Sequence, residues 1–303
     1  MKRSPVSLLL NRRTNERRHL QQYDTTHQGI LSCIRTFPTE ILEKIFMQTV
    51  DNHYDVFDTK RGPWALGHVC RRWKDISRSY PALWTALAIE SLHLQPESRR
   101  SYLPEILEEV LVLTGNQELD VRYSLQSLIV NDGNTHRGRS KVLWGDRKSS
   151  FWNVLQGLFD MLVGHSMRWR SASFVVPCKL GGRRLRQAKG RLSSLVSFDL
   201  SLCEGLGEGV HFDSKTLDAL SIPPKLQVLT VTDVPIDVLP SLPWSQMRYL
   251  SHDFLTSIEG HLYLLAKSPL LETYIASFYD PSPWEELELH CTHNHLRRLE
   301  LSC

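Results

Sequence analysis

Apolar residues recur along this chain with two different periods, and the change from one to the other divides it. Near the start, Phe37, Ile41, Leu42, Ile45 and Phe46 recur at helical spacing, so they share one face. Pro38 suits the first turn of that helix and Thr36 is a candidate cap. Leu66, Val69, Cys70, Trp73 and Ile76 follow the i, i+3, i+4, i+7 rule and predict a second helix, with Arg71, Arg72, Lys74 and Asp75 facing out. Pro81 stops it. A unit of about fifty residues with two apolar helix faces cannot bury everything it exposes, so a partner is implied. Further on, Leu103, Ile106, Leu107, Val110 and Leu111 predict a helix over Ser101–Gly115, opened by Pro104 and ended by Gly115. Leu119, Val121 and Tyr123 alternate as in a short half-buried strand. Asn131–Ser150 is polar, basic and glycine-bearing, which predicts a long loop, and Phe151–Gly164 returns to a helical pattern.

From Trp169 onward the pattern becomes one of short strands at a rough repeat. Leu195, Phe198, Leu200 and Cys203 fit LxxLxLxxC, the leucine-rich repeat pattern. Leu226, Leu229, Val231 and Val234 repeat it, then Met247, Leu250 and His252, then Leu271, Tyr274 and Ala276, then Leu296, Leu299 and Leu301. Trp169, Ala172 and Phe174 form an earlier copy. The first positions of the six copies lie 26, 31, 21, 24 and 25 residues apart. That scatter is centred on the roughly 20–29 residues of leucine-rich repeats. One such strand cannot hide its inward side chains, but stacked neighbours bury a continuous core. Helical or irregular returns such as Ile258–Lys267 would run between strands. The competing reading is an ordinary α/β domain with fortuitous leucine spacing. The last copy ends at Cys303 without a polar cap, which predicts an open strand edge or further repeats beyond it.

The first two helices, together with the Pro81–Trp84 element after them, resemble the F-box family. The match covers Pro38, Glu40, Ile41, Leu42, Ile45 and Phe46, then Val69, Cys70, Arg71, Arg72 and Trp73, and then Pro81, Leu83 and Trp84 in a Pro-x-Leu-Trp element typical of fungal members. Phe37 stands where the family usually has Leu, and Asp51–Pro63 is a longer polar connection than a minimal F-box needs. Degenerate repeats and a Leu-Pro-Trp-Ser-Gln element, here Leu242–Gln246, also resemble fungal F-box proteins. The resemblance implies docking on the Skp adaptor of an SCF (Skp–cullin–F-box) ubiquitin ligase. The implied contact residues are Phe37, Pro38, Ile41, Leu42, Ile45, Phe46, Val69 and Trp73.

Composition narrows the chemistry. Of the 303 residues, 41% are hydrophobic and 23% charged, as in a globular protein. The net charge of +3 is too small to imply a polyanion partner. No apolar run is long enough to span a membrane. Six dispersed cysteines without CxxC pairs read as reduced thiols of the cytoplasm or nucleus. His290, Cys291, His293 and His295 all come from one short segment with no second ligand pair, so a polar turn is favoured over zinc. Glu204–Gly209 lacks a phosphate-loop order. The basic run from Lys179 to Arg191 has no interleaved aromatics, so a solvated face is favoured over the weaker alternative of a nucleic-acid site. No nucleophile-elbow, metalloprotease or kinase motif occurs.

The expectation is therefore an α+β or α/β chain in four parts. Residues 1–35 form a basic, poorly ordered tail; 36–90 an F-box helical module; 91–164 linking helices, a strand and a basic loop; and 165–303 an irregular leucine-rich-repeat-like solenoid with parallel strands. The expected role is a non-catalytic substrate adaptor that binds Skp, through it a cullin, and a protein substrate. Neither cofactor nor metal is expected. A repeat protein with an assembly-only F-box is the alternative.

Overall fold

In the computed structural model the strands of the main sheet follow one another across it in chain order, and all of them run the same way. The structure describes residues 15–25, 27, 34–50, 52–90, 92, 95–126, 129–131, 140–142, 150–203, 217–234, 239, 242–256, 258–278 and 293–302. By internal contacts the chain divides into two compact units, Met1–Thr49 and Val50–Cys303. The division falls within the stretch 36–90.

The first unit contains a helix over residues 15–25, where the sequence suggested a poorly ordered tail; its side chains are all exposed. Glu, Arg, Leu and Gln, good helix formers, make up much of that stretch. Helix α1 (Thr39–Thr49) comes next, starting directly after Pro38 with Glu40 in its first turn.

The second unit holds the sheet. Among the described residues it has nine parallel strands: β1 (Tyr54–Asp55), β2 (Ala86–Ile89), β3 (Leu119–Ser124), β6 (Trp169–Pro177), β7 (Ser197–Cys203), β8 (Val228–Thr232), β9 (Tyr249–Thr256), β10 (Thr273–Phe278) and β11 (Arg298–Ser302). There is also a separate antiparallel pair, β4 (Ile129–Asn131) with β5 (Ser140–Val142); β5 lies in the Asn131–Ser150 stretch read as one long loop, and β4 ends at its first residue. The parallel ladder thus begins near Tyr54, well before residue 165. Strands β1 and β2 escape a repeat search because two and four residues are too few for a period.

Register explains the core. Tyr54, Leu87, Val121, Ala172, Phe198, Leu229, Leu250, Tyr274 and Leu299 stand level across the nine strands. Ile89, Tyr123, Phe174, Leu200, Val231, His252, Ala276 and Leu301 form a second row two residues on. Every member of both rows is buried except the last of each: Leu299 and Leu301 on edge strand β11 are 50% and 51% exposed. Burying one large apolar side chain stabilises by roughly 1.5–3 kcal/mol, so the two rows are the main stabilising feature. The repeat positions read from the sequence are these inward positions.

Helices return the chain between strands. α4 (Leu103–Leu113) leads into β3 and ends just before Gly115, as the pattern predicts. α5 (Ser150–Gly164) leads into β6, and α7 (Ile258–Lys267) joins β9 to β10. α5 buries Leu155, Leu158, Phe159 and Leu162. Phe159 packs tilted on Tyr123 at 5.3 Å between ring centroids and edge-on to Phe174 at 5.2 Å. The Tyr123 hydroxyl donates to the Leu155 carbonyl at 2.9 Å, which satisfies its one buried polar group. The Leu242–Gln246 element contains a short 3-10 helix, Trp244–Gln246, with Leu242 and Trp244 buried, and Gln246 Nε2 donates to the Pro223 carbonyl at 2.7 Å.

Between β6 and β7 the basic run is a helix, α6 (Cys178–Leu185), and not simply a solvated face. Leu180 and Leu185 are buried. A Cβ at Gly181 would lie 2.9 Å from Val176 Cγ2, so glycine here permits close helix–strand approach. Arg184 Nε lies 2.7 Å from Asp160 Oδ1, an ion-pair contact without hydrogen-bond alignment. Lys189 pairs with Asp218, and Arg191 donates to the Gly164 carbonyl. These cations are engaged within the fold.

Candidate functional site

Three places merit description as sites: helix α1 of the first unit, the helical segment of the second unit that holds Val69 and Trp73, and the outward face of the sheet. In the first unit, α1 leaves Pro38 exposed and Ile41 41% exposed, while Phe37 and Ile45 are half-buried and Leu42 and Phe46 buried. Met47, one turn on from Glu43, is also 41% exposed. The side of the helix that carries Pro38 and Ile41 thus offers apolar surface to water, which is costly unless a partner covers it, and Met47 stands about 120° round from it.

In the second unit, the single helix expected over Leu66–Ile76 is two. α2 (Gly62–Gly67) stops, His68 and Val69 turn, and α3 (Arg71–Ser79) restarts from Cys70 in extended backbone. The two helices pack on each other, but Val69 is off the helical face and 49% exposed. Trp73 is half-buried, and Ile76 is the buried anchor of α3. The break is silent in the apolar spacing because Leu66, Val69 and Cys70 lie at intervals that a continuous helix would also satisfy. Of the eight predicted docking residues, Pro38, Ile41 and Val69 are therefore exposed, Phe37, Ile45 and Trp73 half-buried, and Leu42 and Phe46 buried.

The chain after α3 is tied to the end of the sheet. The short 3-10 helix Pro81–Trp84 carries Trp84 into the core, where its Nε1 donates to the Ser77 carbonyl at 2.7 Å. Trp64 meets Trp84 edge-on at 5.0 Å and donates from Nε1 to the Val56 carbonyl at 3.1 Å. The Tyr54 hydroxyl donates to the Trp84 carbonyl at 3.3 Å. The Asp51–Pro63 connection thus contains strand β1 and buried Val56 and Phe57, where a polar linker was expected. Gly62 takes a φ of +58°, and a Cβ there would come 2.6 Å from Tyr54 Cβ.

The outward face of the sheet alternates with the buried rows and has a different chemistry. Arg122, Ser173, Asp199, Thr230, Ser251 and Ile275 stand level across β3 to β10. On its β3–β6 side, Arg170 makes a two-pronged ion pair with Asp120, its Nε donating at 3.0 Å. Burial and the Arg122 charge lower the His53 pKa beside them, opposed by Asp120. Across β7 to β10, no described outward residue is Lys, Arg or His. Two carboxylates stand there, each held by a hydroxyl. Ser173 Oγ donates to Asp199 at 2.9 Å, and Ser277 Oγ to Asp253 at 2.8 Å. Burial pushes the Asp199 pKa up, and the Ser173 hydrogen bond and the Arg122 charge only partly offset it.

On the inner side, His252 occupies a position that is apolar in the other strands. Its Nε2 lies 2.9 Å from the Val234 carbonyl, and its ring is 6.3 Å from that of His261. His261 Nδ1 lies 2.7 Å from the Tyr274 hydroxyl. Of the histidine segment, His290 and Cys291 lie outside the described residues, as does Glu204–Gly209; His293 Nε2 lies 2.6 Å from the Ser268 carbonyl. No cluster of metal-ligating side chains occurs among the described residues, and none of their helices is long and apolar enough to cross a membrane.

No family model and no curated protein matches this chain.

Proposed function

We propose that this chain is a substrate adaptor of an SCF-type ubiquitin ligase, which docks on the Skp adaptor through its first helices and presents substrate on its sheet. The F-box resemblance of Pro38–Phe46, Val69–Trp73 and Pro81–Trp84 supplies the identity of the first partner. The observation that carries the reading is the exposure of Ile41 on α1, an apolar side chain at a motif position left open to water. Val69, exposed in its own unit, supports it.

A sheet sealed on one side and hydroxyl-rich on the other suits the second task. In this reading the strands are degenerate leucine-rich repeats, and β1 to β3 are cryptic early members of the same array. The ligase chemistry belongs to other subunits, and this chain accelerates it by holding substrate near them. Cytoplasmic or nuclear placement follows from that partnership.

The test is co-purification of the full chain with a Skp-type adaptor. Wild type is retained, and Ile41→Asp, a change at an exposed site, lowers affinity at least about tenfold as loss of an interface anchor does. Retention that is absent in wild type, or indifferent to Ile41→Asp and Val69→Asp together, contradicts the reading. In that event a repeat protein that binds partners without a ligase is the better account.

A further inference from the structure

We propose that the outward face of β7 to β10 binds a polypeptide segment that carries two basic side chains, one meeting Asp199 and the other Asp253. This deepens the adaptor reading, on which it rests, by naming the chemistry of the substrate. The chain as a whole is basic, at +3, yet among the described residues these four strands present only carboxylates, hydroxyls and a few neutral side chains outward. Elsewhere on the face acids are matched with cations: Asp120 with Arg170, and Glu300 with Arg298 at 2.6 Å. Asp199 and Asp253 instead have serine hydroxyls as their side-chain hydrogen-bond partners among the described residues.

Asp199 is half-buried and Asp253 exposed. A carboxylate held by one hydroxyl keeps lone pairs for further donors, and a guanidinium or ammonium is the donor that also supplies a matching charge. Tyr249 stands outward on β9, two residues before Ser251, and gives an aromatic face on which a guanidinium can lie. Arg122 stands two strands from Asp199, roughly 10 Å away. Its charge only partly offsets the burial of Asp199, and it marks where the cation-accepting part of the face ends.

Spacing defines the ligand further. Asp253 is level with Thr232, one strand and two positions on from Thr230, which is itself level with Asp199. Two strand spacings and two residue rises separate the carboxylates by roughly 12 Å. In an extended peptide, side chains four positions apart point the same way and lie about 13 Å apart. Two arginines or lysines at i and i+4 of an extended segment therefore match.

The experiment titrates the full chain into a fluorescein-labelled Arg-Ser-Gly-Ser-Arg peptide and its Glu-Ser-Gly-Ser-Glu counterpart, read by anisotropy. Wild type binds the arginine peptide and not the glutamate one. Asp199→Asn and Asp253→Asn each weaken binding about tenfold, as loss of one charge-assisted contact does, and the double variant more. Glu300→Gln, whose carboxylate is already matched, leaves binding unchanged. Circular dichroism melting checks that the variants fold. The inference is overturned if wild type fails to bind the arginine peptide, if it binds the glutamate peptide as well, or if the double variant binds the arginine peptide as wild type does. Skp retention is scored in parallel. Peptide binding without Skp retention removes the ligase reading and keeps the site, whereas the reverse removes the site alone.

Discussion

The two faces of the sheet are made by the same strands, residue by alternate residue, yet they obey different rules. Inward, each strand of the parallel sheet from β2 to β10 supplies the same kind of side chain at the level of Leu87, and Leu87, Val121, Phe198 and Leu250 are interchangeable in role. Outward, each strand differs from its neighbours: Arg122, Ser173 and Asp199 stand level and share nothing but polarity. Burial constrains one face to shape and apolarity, and the other is free to vary. Stability and recognition are thereby separated, and substitutions on the two faces should be separable too.

The largest effect is expected inward. Phe198→Ala removes a fully buried ring that packs on Phe174 at 5.8 Å, and should cost about 3–5 kcal/mol in denaturant unfolding. Thr230→Ala, outward on the next strand, should stay within about 0.5 kcal/mol. Equal costs would break the comparison. Next comes Gly62→Ala, where positive φ and the nearby Tyr54 Cβ combine; about 1–3 kcal/mol of strain should appear as a lower melting temperature.

His252 sharpens the inward rule, because a titratable ring stands in an apolar row. Burial holds its pKa below 6.5, despite the Val234 carbonyl and Asp253, which raise it. The unfolded chain then takes up the proton first. Stability is full above about pH 6.5, the ordinary histidine value, and is lost as pH falls below it. His252→Leu should flatten that acid slope in melts from pH 8 to 5, at the expense of leaving the Val234 carbonyl without its ring partner. The smallest effect is outward. The Asp199 pKa is raised, so the native state loses stability as pH rises through that window. Asp199→Asn removes the loss and should raise the melting temperature slightly at neutral pH, with the gain vanishing toward acid. A clear fall instead would mean that Asp199 serves the fold.

The inward rule was readable from the sequence, since Leu195, Phe198 and Leu200 declare their face by spacing alone. The early strands were not, because Tyr54–Asp55 and Ala86–Ile89 are too short for a period and gain strand geometry only by pairing. The break between α2 and α3 was hidden by residues whose spacing fits a helix on both sides of it. The outward face was silent for a different reason: Asp199 and Asp253 are fifty-four positions apart, and only register places them on one surface. The basic run misled in the same way, since Asp160 and Asp218, which engage Arg184 and Lys189, lie outside it.

The most direct measurement is a calorimetric titration of the full chain with a purified Skp-type adaptor, repeated with Ile41→Asp and with Asp199→Asn. The account predicts one-to-one binding that Ile41→Asp weakens at least about tenfold and Asp199→Asn leaves intact. Absent heat for wild type, or binding lost with Asp199→Asn and kept with Ile41→Asp, would contradict it.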